Sequence, residues 1–97
     1  MSNVYWMPSA LDDLRNVHDY IAVDSAYYAN KFVDDVFDKT ERLECFPKSG
    51  RVVPELGIPS IREIGYRSYR IIYELVENKI QVLTVIHARQ LLPNDFI

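Results

Sequence analysis

Three side chains stand where an ordinary core strand would not put them. Arg70 is set inside the apolar run SYRIIYEL, and the apolar strand IQVLTVIHAR ends in His87, Ala88 and Arg89. An arginine that is even half buried needs a partner. Side chains alternate along a strand, so Arg70, Ile72, Glu74 and Val76 share one face and Tyr69, Ile71, Tyr73 and Leu75 the other. In the last strand Leu83, Val85, His87 and Arg89 share a side. A hairpin turn at Glu77–Asn78 puts position 70 opposite roughly 85–87. On that register Arg70, His87 and Arg89 converge near one end of a sheet, with Arg62 and Arg67 close by in sequence. A slip of one residue would undo the convergence. Such a group of cations is a place for an anionic partner to dock. The same residues also have plainer roles. Arg70 can pair with Glu63 or Glu74, and His87 can be a hydrogen-bonded residue at a strand end. His18, beside the apolar face of the first helix, reads as structural.

The elements that must position these residues follow from periodicity. NVYWM (3–7) is short, β-branched and aromatic, and predicts a strand. Pro8 and Ser9 mark a helix start, Pro in the first turn and Ser as a cap. Ala10, Leu14, Val17 and Ile21 recur at helical spacing to about Val23, with Asp12 and Asp13 near the positive end of the helix dipole. Asp24 or Ser25 caps a second helix, whose apolar face is Ala29, Val33, Val36 and Leu43. It runs to about Cys45, with Asp34, Asp35, Asp38, Glu41 and Arg42 on its outer side. Pro47 and Gly50 end it, and 50–59 reads as loop. Strands are expected over 60–66, 68–76 and 79–88, the last two apolar on both faces and therefore central. Asn78 is the residue expected to take a positive φ in the turn between them. The tail LLPNDFI reads as a short docked segment. The order β-α-α-β-β-β implies an α+β fold, with a helical hairpin on a small, twisted, mostly antiparallel sheet.

Composition narrows the function classes. At 97 residues and 48% apolar content the chain is expected to form one domain with its own core. Residues 1–47 hold four basic and nine acidic side chains, and residues 48–97 hold seven basic and five acidic. The basic half is where an anionic partner would dock, but a net charge of −3 is unlike a free-standing nucleic-acid binder. The single cysteine, Cys45, rules out an intramolecular disulfide, suits a reducing cytosol, and reads as a small core residue. Two histidines without a cysteine cluster argue against a metal site, and no cofactor is implied. No secretory signal or membrane-spanning run is visible, so a cytoplasmic location is expected. The seven tyrosines fit core packing better than RNA stacking, since Tyr69 and Tyr73 alternate in phase with Ile71.

Nearly the whole chain resembles the RelE/ParE superfamily of bacterial type II toxins. The similarity is carried by PSALDDLRNVHDYIA, by ANKFVDDVFDKTERLECFPKSGRVVPEL, by IREIGYRSYRIIYEL and by IQVLTVIHARQ. Phe46-Pro47 and Gly50-Arg51 follow the helix, then come a Tyr-Arg-x-x-Tyr strand and His-x-Arg. The resemblance is closer to the ParE branch. It implies a small α+β toxin associated with growth inhibition and plasmid stabilisation, held inactive by a cognate antitoxin in a heterotetramer or larger assembly.

The two branches imply different chemistry on one fold. ParE-like toxins act on DNA gyrase and need no catalysis of their own. A basic patch of Arg51, Arg62, Arg67, Arg70 and Arg89 would then meet the target. The RelE-like alternative is a ribosome-dependent endoribonuclease acting on mRNA. There Arg70 would hold the phosphate, His87 would be acid or base with an ordinary pKa of about 6.5, and Arg89 would add charge. Glu55 or Glu63 would be the base. The acidic chain, the lack of a lysine cluster between 50 and 70, and the absence of a tyrosine after Arg89 depart from that branch. A third possibility is a family member with little remaining toxicity. Antitoxin binding is expected through a hydrophobic groove, or by strand addition at SIREIGY if that segment is an open edge.

Overall fold

The computed structural model describes residues 3–93, 95 and 96. The element order is β1 (Val4–Trp6), α1 (Pro8–Ala22), α2 (Ala26–Glu41), a 3-10 turn (Arg42–Glu44), β2 (Arg51–Val52), β3 (Ile61–Tyr66), β4 (Tyr69–Val76) and β5 (Lys79–His87). The sheet order is β1-β5-β4-β3-β2. β1 runs parallel to β5, and every other neighbouring pair is antiparallel. This is the expected α+β fold with one extra strand. The two-residue β2 lies inside the segment read as loop, too short to leave a periodic signal, and it covers the edge of SIREIGY at Arg62 and Glu63.

Both helices lie on one face of the sheet. Leu14, Phe32 and Val36 meet Ile71, Val82 and Val85 there, with Trp6 and Phe37 edge-on at 5.0 Å between ring centres. Burying each such side chain contributes roughly 1.5–3 kcal/mol. The opposite face is covered by chain without regular structure. Val53 and Leu56 from the loop, and Leu92 and Phe96 from the tail, pack on Ile61, Ile72, Leu83 and Ile86. The expected docked tail is therefore present, with Asn94 and Ile97 outside the described residues.

Several local expectations change. Met7 is the cap position of α1, with Pro8 first in the helix, and no side chain caps it. Asp12 and Asp13 fall beyond the first turn, and Asp13 instead accepts from the Thr84 hydroxyl at 2.6 Å. Ser25 does cap α2, its Oγ accepting from the Tyr28 N–H at 3.2 Å. α2 ends at Glu41, four residues early, because the chain tightens into the 3-10 turn. That rotation buries Leu43 and turns Cys45 out to solvent, so Cys45 is not a core residue. In the β4–β5 turn the positive φ falls on Glu77 (+57°) rather than Asn78, and Arg67 takes it (+53°) in the β3–β4 turn.

Candidate functional site

The β4–β5 pairing decides which candidate residues meet. It starts at Val76 opposite Lys79, as the hairpin turn requires. Unshifted, that register would place Arg70 opposite Val85, on the face of His87. A bulge at Ile72/Tyr73 inserts one residue of β5, so Arg70 lies opposite Ile86 and Tyr69 opposite His87. Val82 and Val85, three apart rather than two, both face the helices. His87 follows them to the helical side and stands edge-on to Tyr69 at 5.4 Å. Arg70 shares the opposite face with Ile72 and Ile86. The expected convergence of Arg70 with His87 is thus absent, and one residue of register is the reason.

Arg70 is 7% exposed, and all its donors are used within the protein. Nη1 and Nη2 each donate to one oxygen of Glu55 at 2.8 Å. Nε and Nη2 donate to Glu63 Oε1 at 3.2 and 2.6 Å. Nη1 also donates to the Gln90 carbonyl at 2.9 Å. A guanidinium has five N–H groups, and these are five bonds. Glu63 Oε2 is taken in turn by Nε and Nη2 of Arg51, both at 3.0 Å. Glu55 Oε2 also accepts the Leu92 N–H at 3.0 Å. Two carboxylates and two guanidiniums therefore balance, and they bind loop, sheet and tail together. The Arg70 guanidinium, helped by the Leu92 N–H, holds the Glu55 carboxyl down at about 2 against the opposing effect of burial. The same carboxylate, with Glu63, raises the pKa of Arg70.

The remaining candidates are dispersed. Arg62 donates from Nε to the Pro59 carbonyl at 3.1 Å and from Nη1 to the Gly50 carbonyl at 3.0 Å. Arg67, in the β3–β4 turn, donates to the Tyr66 hydroxyl at 3.2 Å, and that hydroxyl donates to Asp35. The Tyr66 hydroxyl, followed by Lys31, lowers the pKa of Asp35 despite desolvation. Arg89 lies beyond β5 and is exposed, and its backbone N–H donates to His87 Nδ1 at 3.1 Å. Arg51 and Arg70 are thus brought together through Glu63, with Arg62 nearby at Gly50, while Arg67, His87 and Arg89 stand apart.

Gly50, read in the sequence as a helix stop, the start of a loop and part of the family resemblance, also has a packing role. Its N–H donates to the Tyr73 hydroxyl at 3.0 Å, and that hydroxyl donates to the Pro47 carbonyl at 2.8 Å. Burial raises the Tyr73 pKa, so the phenol is held as a donor. Only a residue without a Cβ fits, since one built at Gly50 would sit 2.5 Å from the Glu63 carbonyl oxygen. Among the described residues no group of three metal-ligating side chains occurs, and no helix is long and apolar enough to cross a membrane.

Comparison with known proteins gives this geometry a context. No curated protein sequence matches the chain. A solved structure described as the chromosomal ParDE TA system from P. aeruginosa superimposes with a TM-score of 0.73 at 21% identity, over 92% of this chain and 98% of that one. At that identity the match speaks for the fold. Residues 4–92 match the family described as the ParE toxin of the type II toxin–antitoxin system parDE. A match over that length places this chain in the ParE toxin family of type II toxin–antitoxin systems.

Proposed function

We propose that this protein is the toxin of a type II module that inhibits DNA gyrase as a binding module, and that a cognate antitoxin neutralises it. The observation that carries this reading is the state of Arg70. Its five donors are spent on Glu55, Glu63 and Gln90, so a substrate phosphate would have to displace a buried ion network to reach it. His87 lies on the other face. Arg70 and His87 therefore offer no common surface on which an RNA-cleaving pair could form. Inhibition through binding needs none, because the target supplies the chemistry.

The test is a supercoiling assay with purified gyrase, toxin and antitoxin. The expected result is loss of supercoiling with accumulation of cleaved DNA, reversed by the antitoxin. Intact gyrase activity together with mRNA cut in translating ribosomes would replace this reading with the endoribonuclease one.

A further inference from the structure

A cleft of about 370 Å³ opens at the end of the sheet where β4 turns into β5. Its floor is apolar, for Leu43, Leu75 and Ile80 belong to the core cluster around Tyr73. One wall is the chain that leaves the 3-10 turn, with Glu44 and Lys48. The other is the β4–β5 turn, with Glu77 and Lys79. Both walls are held from behind. The Tyr73 hydroxyl donates to the Pro47 carbonyl at 2.8 Å, and the Ile80 N–H donates to the Asn3 carbonyl at 2.9 Å. Each wall thus carries one carboxylate and one ammonium group. All four residues are exposed, and among the described residues none of them is within ion-pair distance of an opposite charge. Lys79 Nζ lies 5.6 Å from the centre of the Tyr5 ring, which leaves Lys48 as the less engaged cation. Glu77 stands at φ +57°, where a side chain is strained, although a residue such as the neighbouring asparagine bears that conformation better. The turn alone gives no reason for a glutamate there.

We propose that this cleft binds a free amino acid with an apolar side chain, its α-ammonium group at Glu77, its α-carboxylate at Lys48 across the cleft, and its side chain on Leu43, Leu75 and Ile80. Charge selects the class. An anion meets Glu44 and Glu77, a cation meets Lys48 and Lys79, and a molecule carrying both signs satisfies the two walls without repulsion. The volume is at the lower end for ligand sites, which suits a single amino acid rather than a polymer. The apolar floor favours a side chain larger than that of glycine. The β4–β5 register sets Val76 and Lys79 at one end of the hairpin and Tyr69 and His87 at the other. A ligand in this cleft therefore leaves the His87 end uncovered.

The experiment titrates the full chain with leucine and follows binding by amide NMR. Leucine should move the signals of Asn78 and Ile80 with a dissociation constant on the order of 10 mM, since the charge contacts are exposed. N-acetylleucine lacks the ammonium group and leucinamide lacks the carboxylate. Each should bind about threefold more weakly than leucine, and glycine about tenfold more weakly. Glu77→Gln should lose the preference for leucine over N-acetylleucine, and Lys48→Gln the preference for leucine over leucinamide. The analogues probe the same contacts on the unaltered chain, so a folding defect in either variant leaves them to decide. Equal binding of leucine and either analogue, tighter binding of glycine, or no shift of these signals at about 100 mM leucine would each overturn the proposal. The readout is amino-acid binding rather than toxicity, so it is independent of whether gyrase is the target.

Discussion

Arg70 and Glu55, fifteen residues apart in the chain, face each other through two parallel hydrogen bonds of 2.8 Å. The pair closes the loop before β3 over the sheet, and through Gln90 and Leu92 it also fastens the tail. Its worth lies in being complete. Removing one partner leaves a buried charge without compensation, which costs far more than the intact pair contributes.

Arg70→Met should therefore destabilise the protein by about 3–5 kcal/mol, read as a lower urea midpoint. The double variant Arg70→Met/Glu55→Leu should recover part of that loss, because it leaves fewer unpaired charges. Equal stability of Arg70→Met and the parent would show that the network is an ornament of the surface.

Acid should loosen the same lock. The folded pKa of Glu55 lies at about 2, below its ordinary value of 4.5. The stabilisation it contributes is thus fully present above pH 4.5 and is lost as the pH falls from there towards 2. Its size is on the order of 2 kcal/mol, less than the full linkage value because the carboxylate keeps some contact with water. Denaturant titrations across that range should show the slope in the parent and a shallower one in Glu55→Gln.

Gly50→Ala should cost about 2–3 kcal/mol. The added Cβ would lie 2.5 Å from the Glu63 carbonyl oxygen and 2.6 Å from the Tyr73 hydroxyl. Tyr73→Phe should cost about 1–3 kcal/mol by a different route, leaving the Gly50 N–H and the Pro47 carbonyl without their partner. Thermal melts of both variants check this.

At Glu77 the opposite sign is expected. A glutamate held at φ +57° pays a steric cost that asparagine bears more easily. Glu77→Asn should stabilise by roughly 0.5–1 kcal/mol, seen as a raised melting temperature.

Gyrase inhibition should respond little to His87→Ala, within about twofold of the parent, as for other exposed positions. Charge reversal at the exposed Arg89 should weaken inhibition about tenfold if that end of the sheet meets the target. Dose–response curves in the supercoiling assay separate the two. Full activity of Arg89→Glu would remove it from the target-facing patch.

The helices, the three long strands and both hairpins were legible in the sequence because each is amphipathic or apolar over many residues. The assembly of the site was not. Which face His87 takes depends on the bulge at Ile72/Tyr73, and LTV in the middle of an apolar strand carries no mark of it. The pairing of Arg70 with Glu63 was foreseeable from two neighbouring strands, whereas Glu55 comes from an irregular loop with no period to read. Arg42 was read only as part of a solvated helix face, and Lys39 was not singled out, because a helix spaced with charges looks like one. Cys45 was misplaced because α2 tightens before it arrives.

β1 is added to the sheet beside β5, with Val4 next to Ile80. The opening strand therefore has nowhere to dock until β5 has left the ribosome, and the Arg70 clasp on Gln90 waits for residues made later still. A nascent or truncated fragment ending before residue 80 would lack the interior strand β5, on which β1 docks, and the tail alike. The first strand to be made is thus among the last to find its place in the sheet, which ties closure of the core to synthesis of the fifth strand.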